Sequence, residues 1–158
     1  MSKNLNKKEI EKFSRQIILK NIGALGQKKI LSSKVLIVGM GGLGCPVAEF
    51  LTRSGIGTLG IADHDTVSLS NIHRQGLYNE KDINQSKVKI AKKKLNKINP
   101  KTKINIFNLR LNKTTFEKII KTFESSIFFC PNGPMFFKII CLENLSISFL
   151  LKFLLIFQ

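Results

Sequence analysis

A glycine-rich segment with a fixed spacing constrains this chain more than any other feature. Residues Lys34 to Val38 form a short, β-branched, apolar run, which predicts a strand buried on both faces of a parallel sheet. The run leads into Gly39, Gly41 and Gly44, the spacing G-x-G-x-x-G. Such glycines permit a tight turn, let the backbone approach a phosphate, and let a helix pack close to the strand. The segment therefore predicts a nucleotide-binding turn.

The residues after the turn complete this nucleotide-binding unit. Apolar residues between Leu43 and Leu51 predict a helix whose free N–H groups and positive dipole end face an anion. Thr58 to Ala62 predicts a second strand, and Asp63 at its end could accept hydrogen bonds from ribose hydroxyls. This combination favours nucleotide binding over glycines that only tighten a turn.

The rest of the chain alternates between helical and strand patterns. The predicted elements are a helix from Lys7 to Asn21, a short helix before Ser32, a helix from Ser86 to Ile98 capped by Ser86, a strand from Lys103 to Asn108, and a helix with a capping box of Thr114 and Glu117. This order predicts a doubly wound α/β fold with a mostly parallel sheet.

A polar segment from His64 to Gln75 follows the second predicted strand. Loops at the carboxyl edge of such a sheet bind ligands, so its polar side chains are candidates for a site. Lys87 lies in the first turn of the next helix, where it could reach a bound phosphate, although the pattern alone favours a solvated charge. His64 and His73 could ligate a metal, but no third ligand has suitable spacing, so we predict no metal site.

The charge and cysteine content limit the possible partners. A net charge of +16 would suit a nucleic-acid binder. Only four of the 26 basic residues are arginines, however, and arginine makes the contacts typical of such proteins. We therefore predict no nucleic-acid partner. The three cysteines show no paired spacing, and the polar N-terminus lacks the apolar run of a secretory signal, so we expect a cytoplasmic protein.

The composition changes near residue 125. Residues 127–158 contain seven of the 12 phenylalanines and only three charged residues. No uncharged stretch reaches the ~18 residues of a membrane span, so we predict no membrane partner. Because no periodicity predicts an element there, we divide the chain into a nucleotide-binding domain, 1–125, and an unassigned hydrophobic tail, 126–158.

Several motifs occur together in the order typical of one enzyme family. They are Ser14-Arg-Gln16, Val38-Gly-Met-Gly-Gly-Leu-Gly-Cys45, Ala62-Asp-His-Asp-Thr-Val-Ser-Leu-Ser-Asn71, Arg74-Gln75, Gln85-Ser-Lys87 and Ile98-Asn-Pro100. From about Phe13 to Phe123 the chain thus resembles the activating enzymes of sulfur-carrier and ubiquitin-like proteins, of the ThiF and MoeB type.

The resemblance implies a Rossmann-like fold, here incomplete at its C-terminal side, and a specific reaction. In such enzymes the C-terminal glycine carboxylate of a small sulfur-carrier or ubiquitin-like protein attacks the α-phosphate of ATP. An acyl-adenylate forms and pyrophosphate leaves. The resemblance also implies Mg²⁺ as a cofactor and a homodimer. It leaves the carrier open, since thiamine, molybdenum-cofactor and other sulfur-carrier routes share these motifs.

The resemblance also assigns roles to particular residues. Asp63 would hold the ribose, and Arg15 would reach a phosphate in the partner subunit. Asn71, Arg74 and Lys87 would stabilise charge on the triphosphate, so Arg15, Arg74 and Lys87 are the catalytic candidates. The remaining nucleotide-binding candidates are Gly39, Gly41, Gly42, Gly44, Asp65, Ser70, Ile72, His73 and Gln75.

One expected motif is missing. Family members continue with an Asp-x-Ser/Thr-Asp-Asn motif whose first aspartate holds Mg²⁺, but here no aspartate follows Asp82. The corresponding place reads Ser126-Ile-Phe-Phe-Cys-Pro-Asn132. We therefore expect a truncated or frame-shifted enzyme that keeps at most the nucleotide-binding half. Two alternatives remain, a non-catalytic nucleotide-binding or dimerising remnant, and an NAD-dependent oxidoreductase that uses the glycines and Asp63 alone.

Overall fold

The computed structural model describes residues 5–110, 112, 114–115, 118–119, 127–129 and 140–141, the last two segments by their backbone. The helices are α1 Lys7–Lys12, α2 Ser14–Ile17, α3 Gly23–Ser32, α4 Gly44–Ser54 and α5 Lys87–Ile98. The strands are β1 Lys34–Val38, β2 Thr58–Ala62, β3 Lys103–Phe107, β4 Ile127–Phe129 and β5 Ile140–Cys141. Short 3₁₀ helices span Leu69–Arg74 and Glu80–Asp82.

The strands form one sheet in the order β3-β2-β1-β4-β5. The first four are parallel, and β5 runs antiparallel to β4. The chain moves outward from β1 through β2 to β3, whereas β4 lies on the other side of β1. The strand order thus reverses beside β1, and open α/β sheets bind ligands at this switch point. The predicted α/β class and mostly parallel sheet are confirmed.

The core lies on both faces of the sheet because alternate strand residues point in opposite directions. Ile37 and Ile61 are buried with residues of α4 and α5, including Leu51 and Leu95. The opposite face has a smaller cluster around Leu36, with Ala62 and Ile119. This explains the continuous apolar sequence of β1, since a strand covered on both sides does not alternate.

The predicted helix from Lys7 to Asn21 is instead two short helices that meet at Phe13. The Phe13 side chain is buried against Gly55, where a Cβ would lie 2.5 Å from the ring. Gly55 has φ +89° and ends α4 in the left-handed conformation that glycine favours. Packing against Gly55 thus anchors α1 and α2 at the amino edge of the sheet.

Two predicted helix caps differ in detail. Ser86 occupies the N-cap position of α5, but its hydroxyl contacts Asn108 Oδ1 at 3.3 Å instead of a helical N–H. Near the predicted Thr114 cap, Asn112 and Thr115 exchange reciprocal backbone-to-side-chain hydrogen bonds of 2.9 Å. The reciprocal bonds typical of a capping box therefore join Asn112 and Thr115, while Glu117 lies outside the described residues.

The hydrophobic tail contributes to the sheet. Ile127–Phe129 pairs with β1, although sequence patterning predicted no element there. A three-residue apolar strand carries too little periodicity to be recognised. The rest of 126–158, apart from β5, lies outside the described residues, and the boundary at 125 stays a prediction. Among the described helices none is long and apolar enough to cross a bilayer.

Candidate functional site

The glycine turn between β1 and α4 has the predicted geometry. Gly39 has φ +94°, which a residue with a side chain rarely adopts, and its N–H donates to Ala62 O at 2.7 Å. A Cβ on Gly44 would lie 1.9 Å from Gly39 O. The first turn of α4 can therefore approach the end of β1 only because residue 44 is glycine.

Asp63 fixes the turn from the neighbouring strand. Its carboxylate accepts hydrogen bonds from the N–H of Met40 at 2.6 Å and from the N–H of Asp65 at 2.8 Å. Each oxygen keeps acceptor capacity after these bonds. Asp63 thus holds the ends of β1 and β2 together, and its contact with a ribose stays a prediction.

Lys87 is buried next to this pair of strand ends. The side-chain ammonium group of Lys87 lies 2.9 Å from Asp65 Oδ2, and the backbone N–H of Lys87 donates to Asp65 O at 3.1 Å. The hydrogen bond from Lys87 lowers the pKa of the Asp65 carboxyl. A cation is thereby held at the carboxyl edge of the sheet, where the resemblance predicts a triphosphate.

Tyr78 is a part of the site that sequence analysis missed. Its hydroxyl lies 3.1 Å from Met40 O and 3.4 Å from Lys87 O, so it joins the glycine turn to the start of α5. Burial raises its pKa and also raises the pKa of the nearby Cys45 thiol to about 11. One sequence feature could have indicated that Tyr78 is buried near the site. It belongs to an apolar pair, Leu77-Tyr78, within a polar stretch, and it is the one tyrosine of the chain.

The segment after β2 places Arg74 and Gln75 against the turn. Arg74 Cδ and Cγ lie 3.7 Å from the position of a Gly42 Cβ, and its Nη1 donates to Ser70 O at 2.9 Å. Gln75 Nε2 lies 3.8 Å from the position of a Gly41 Cβ. The other candidates lie on the same 3₁₀ helix without a described side-chain hydrogen bond to the turn; they are Ser70, Asn71, Ile72 and His73.

Arg15 is not brought to this site within its own chain. It lies on α2, two residues after Phe13, which packs against Gly55 at the end of α4. The turn lies at the beginning of α4, and an 11-residue helix is about 16 Å long. Arg15 and the glycine turn are therefore near opposite ends of the same helix.

The described residues do not offer a convincing Mg²⁺ site. Asp63, His64 and Asp65 have potential ligand atoms within 4.8 Å of one another. Both oxygens of Asp63 already accept backbone N–H groups, however, and Lys87 occupies one oxygen of Asp65. Three of the four carboxyl oxygens that a hard cation prefers therefore already have a hydrogen-bond or ion-pair partner within the chain.

Known proteins resemble this chain over most of its length. It is 43% identical over 120 residues to the molybdopterin-synthase adenylyltransferase of Haemophilus influenzae, covering 76% of this chain and 49% of that protein. It is 34% identical over 128 residues to the sulfur carrier protein adenylyltransferase of Thermus thermophilus, covering 81% and 47%. The chain thus spans about half the length of these relatives.

A solved structure shares the fold. The E. coli tRNA N6-threonylcarbamoyladenosine dehydratase TcdA, in complex with ATP, superposes with a TM-score of 0.68 at 22% identity, over 73% of this chain and 47% of that one. The model of the ThiF family matches residues 13–130 and so includes the glycine turn, Lys87 and β4. On this match, the chain belongs to the ThiF family.

Proposed function

We propose that this chain binds ATP at the glycine turn and adenylylates the C-terminal glycine carboxylate of a small sulfur-carrier or ubiquitin-like protein. The observation that carries the proposal is the buried ammonium group of Lys87 beside Asp65, at the carboxyl edge of the sheet. A buried cation beside a glycine turn and a helix N-terminus provides a positive environment for phosphate. The two relatives described above are named for the same class of reaction.

In the proposed reaction a carboxylate oxygen of the carrier attacks the α-phosphorus of ATP. A new P–O bond forms, the bond between the α-phosphorus and its bridging oxygen to the β-phosphate breaks, and pyrophosphate leaves with that electron pair. Lys87, Arg74 and Asn71 would neutralise charge on the triphosphate, and Asp63 would orient the ribose. No covalent chemistry is required of the protein, so positioning and electrostatics provide the rate enhancement.

The Lys87–Asp65 pair gives this proposal a physical basis. Asp65 is half exposed, so its carboxylate can turn towards water while Lys87 stays in place. A phosphate that enters the site could then share or replace Asp65 as the partner of the ammonium group. The Lys87 backbone stays in place during this exchange. Its N–H donates to Asp65 O, and its carbonyl accepts a hydrogen bond from the Tyr78 hydroxyl.

We also propose that a second copy of the chain supplies Arg15. The distance along α4 separates Arg15 from its own turn, so only another subunit could bring it to the phosphates. Exposed apolar side chains occur on both surfaces that such an arrangement would join. Leu43 lies just before α4 and Phe50 on it, whereas Ile18 lies just after α2 and Leu25 on α3. In a two-fold dimer the α4 surface of each subunit would contact the α2 and α3 surface of the partner subunit.

Mg²⁺ stays an expectation from the family resemblance. The carboxylates near the turn are engaged in hydrogen bonds, and the sequence after β4 reads Cys130-Pro-Asn132 without an acid. We therefore assign no step of the reaction to a metal held by this chain.

A second candidate function is nucleotide binding without adenylyl transfer. One observation favours it, since no aspartate follows Asp82 and the family's metal-binding motif is therefore absent. Family membership argues against the third possibility, an NAD-dependent oxidoreductase. That function would also leave Lys87 and Arg74 without a role.

ATP–pyrophosphate exchange by the purified chain tests the proposal. The assay would contain Mg²⁺ and a panel of carrier proteins that end in Gly-Gly, and carriers lacking the last glycine would be the matched controls. Exchange that depends on one carrier would support adenylyl transfer and identify the carrier. ATP binding without exchange for any carrier would support the second candidate, and absence of ATP binding by the folded chain would contradict both.

A further inference from the structure

Asn99 joins the N-terminal helices to the rest of the fold. It lies between α5 and β3, at the amino edge of the sheet, and only 3% of it is exposed. Its Nδ2 donates to Thr52 O, near the end of α4, at 3.1 Å and to Thr102 Oγ1 at 3.2 Å. Its Oδ1 accepts a hydrogen bond from Lys12 Nζ at 3.1 Å, 87 residues away in the chain. One side of the carboxamide thus contacts buried groups of the fold, and the other contacts α1.

The N-terminal arm, Lys7–Ile17, consists of α1 and α2 and is attached to the fold at a small number of points. Every residue of these two helices keeps part of its surface exposed, whereas Phe13 between them is buried against Gly55. Helix α2 lies against α3, and two polar contacts attach α1 to the loop before β3. They are the hydrogen bond of Lys12 with Asn99 and the ion pair of Lys101 with Glu9, at 3.0 Å. The orientation of the arm therefore depends on each of these contacts.

Lys12 connects its bond with Asn99 to the position of α2. The Nζ of Lys12 also lies 5.5 Å from the centroid of the Phe13 ring, within the range of a cation–π interaction. The carbonyl of Phe13 accepts the N–H groups of Gln16 and Ile17, both at 2.9 Å, so α2 begins directly at Phe13. A displacement of Lys12 would therefore shift Phe13 and tilt α2, which carries Arg15.

We infer that Asn99 is a positioning residue, which through Lys12 orients the N-terminal arm so that Arg15 reaches the phosphates bound by the partner subunit. This inference rests on the proposed function and adds to it the contact that aligns Arg15. An amide suits the position because it offers donors to the carbonyl of Thr52 and an acceptor to an ammonium group. Alignment matters for the rate, since a displacement of about 1 Å at a reacting centre reduces catalysis by about 100-fold.

Lys12→Met tests the inference in the full chain, because it removes the bond to the arm and leaves the buried bonds of Asn99 intact. It should lower kcat of carrier-dependent pyrophosphate exchange about tenfold through misalignment of Arg15. The Kd for ATP should change less than kcat does, because Arg15 acts mainly on the charge that develops on the leaving pyrophosphate. The melting temperature should stay close to wild type, since Lys12 is exposed. Lys12→Arg keeps a donor to Asn99 Oδ1 and should retain most of the wild-type kcat.

Thr102→Val is the matched control on the buried side of Asn99. It removes a hydroxyl that accepts from Asn99 Nδ2 and donates to Ile56 O at 2.9 Å. The loss of buried hydrogen bonds should lower the melting temperature. Because the Lys12 bond remains, kcat of the folded protein should stay at the wild-type level.

Combinations with Arg15 variants separate positioning from a general loss of structure. In the Arg15→Ala background, Lys12→Met should cause no further loss of kcat, because the arm then carries no guanidinium group to align. An equal mixture of Lys12→Met and Lys87→Met should exceed the mean activity of the separate variants, since one site of each mixed dimer combines a native arm with a native Lys87. A mixture of Lys12→Met and Arg15→Ala should not, because both arms are altered.

Amide hydrogen exchange provides a readout that does not need activity. In Lys12→Met the backbone N–H groups of α2 should exchange faster, whereas those of α5 should not change. Unchanged amide exchange in α2, or wild-type kcat in Lys12→Met, would overturn the inference and leave the proposed function standing. A wild-type chain that binds ATP but catalyses no pyrophosphate exchange, or Arg15→Ala with full activity, would contradict the proposed function along with it.

Discussion

The ammonium group of Lys87 lies 2.9 Å from Asp65 Oδ2, yet the two side chains differ greatly in burial, with exposed fractions of 6% and 50%. A pair that only stabilised the fold would gain little from this geometry, because burying the lysine costs desolvation while water screens its partner. The arrangement is better suited to a cation that binds a second anion, such as a phosphate of ATP, when the nucleotide enters the site. This relationship between Lys87 and Asp65 leads to the first prediction.

Lys87→Met should weaken ATP binding at least tenfold and reduce any pyrophosphate exchange about 100-fold, because it removes positive charge at the triphosphate. The free energy of unfolding should change by less than about 1 kcal/mol, since the Asp65 carboxylate that remains is half exposed and can be solvated by water, while an apolar side chain of similar size fills the buried position of Lys87. Titration calorimetry and urea unfolding would measure the two effects. Lys93→Met, on the exposed face of α5, is the control and should change neither ATP affinity nor the free energy of unfolding. Equal ATP affinity of wild type and Lys87→Met would refute the role of Lys87 in phosphate binding.

Subunit complementation tests the position of Arg15. Arg15→Ala and Lys87→Met should each be inactive alone, because each removes one charge from every site. In mixed two-fold dimers one of the two sites would carry both native residues, so an equal mixture should regain about a quarter of wild-type exchange. The exchange assay on refolded mixtures measures this. No recovery above the separate variants, in mixtures shown to form mixed dimers, would place Arg15 outside the partner's site.

Gly44→Ala should destabilise the protein by more than about 2 kcal/mol, because the added Cβ would lie 1.9 Å from Gly39 O and force the turn apart. It should also abolish ATP binding. Gly76→Ala is the matched control, since a Cβ there meets nothing within 4 Å. That variant should be neutral or slightly more stable through its less flexible unfolded state. Urea unfolding of both variants provides the comparison, and similar stabilities would contradict the close approach of α4 to the turn.

The stability of the fold should depend on pH through Asp82. Burial alone would raise the pKa of this carboxyl, but hydrogen bonds from Lys94 and from the N–H of Asn79 outweigh it and lower the pKa. The charged Asp82 carboxylate therefore contributes its full stabilisation to the free energy of unfolding above the unfolded pKa of about 3.9. That stabilisation is lost as the pH falls through the lower pKa of the folded state. Asp82→Asn should cost about 2 kcal/mol at pH 6 and progressively less towards pH 2. Urea unfolding across this range measures the difference, and a cost that is the same at every pH would show that the charge of Asp82 is irrelevant.

Tyr78→Phe should destabilise the protein by about 1 kcal/mol, because the lost hydroxyl leaves Met40 O without this buried donor. The same bond joins the glycine turn to α5, so ATP affinity should fall by a few-fold as well. Thermal denaturation with and without ATP would separate the two effects. A variant with reduced stability but normal ATP affinity would limit Tyr78 to a structural role.

The sequence allowed the glycine turn and the strand before Asp63 to be predicted because both are encoded locally. Gly39 has a positive φ that glycine favours, and Gly44 leaves no room for a Cβ, so their spacing already indicates the turn. The strand that ends before Asp63 was equally recognisable from its apolar run. Tyr78 was missed because its partners, Met40 and Lys87, are 38 and nine residues away in the chain. No local pattern specifies a hydrogen bond between such distant groups.

The sequence by itself determined the βα turn, the α/β class and the positions of the first three strands along the chain, since these follow from apolar periodicity and glycine stereochemistry over short distances. Only the tertiary structure decided that Ile127–Phe129 pairs with β1, that Lys87 is buried against Asp65, and that Arg15 lies at the far end of α4 from its own turn. Burial and pairing depend on which distant segments share one core, so a chain's local pattern constrains them weakly.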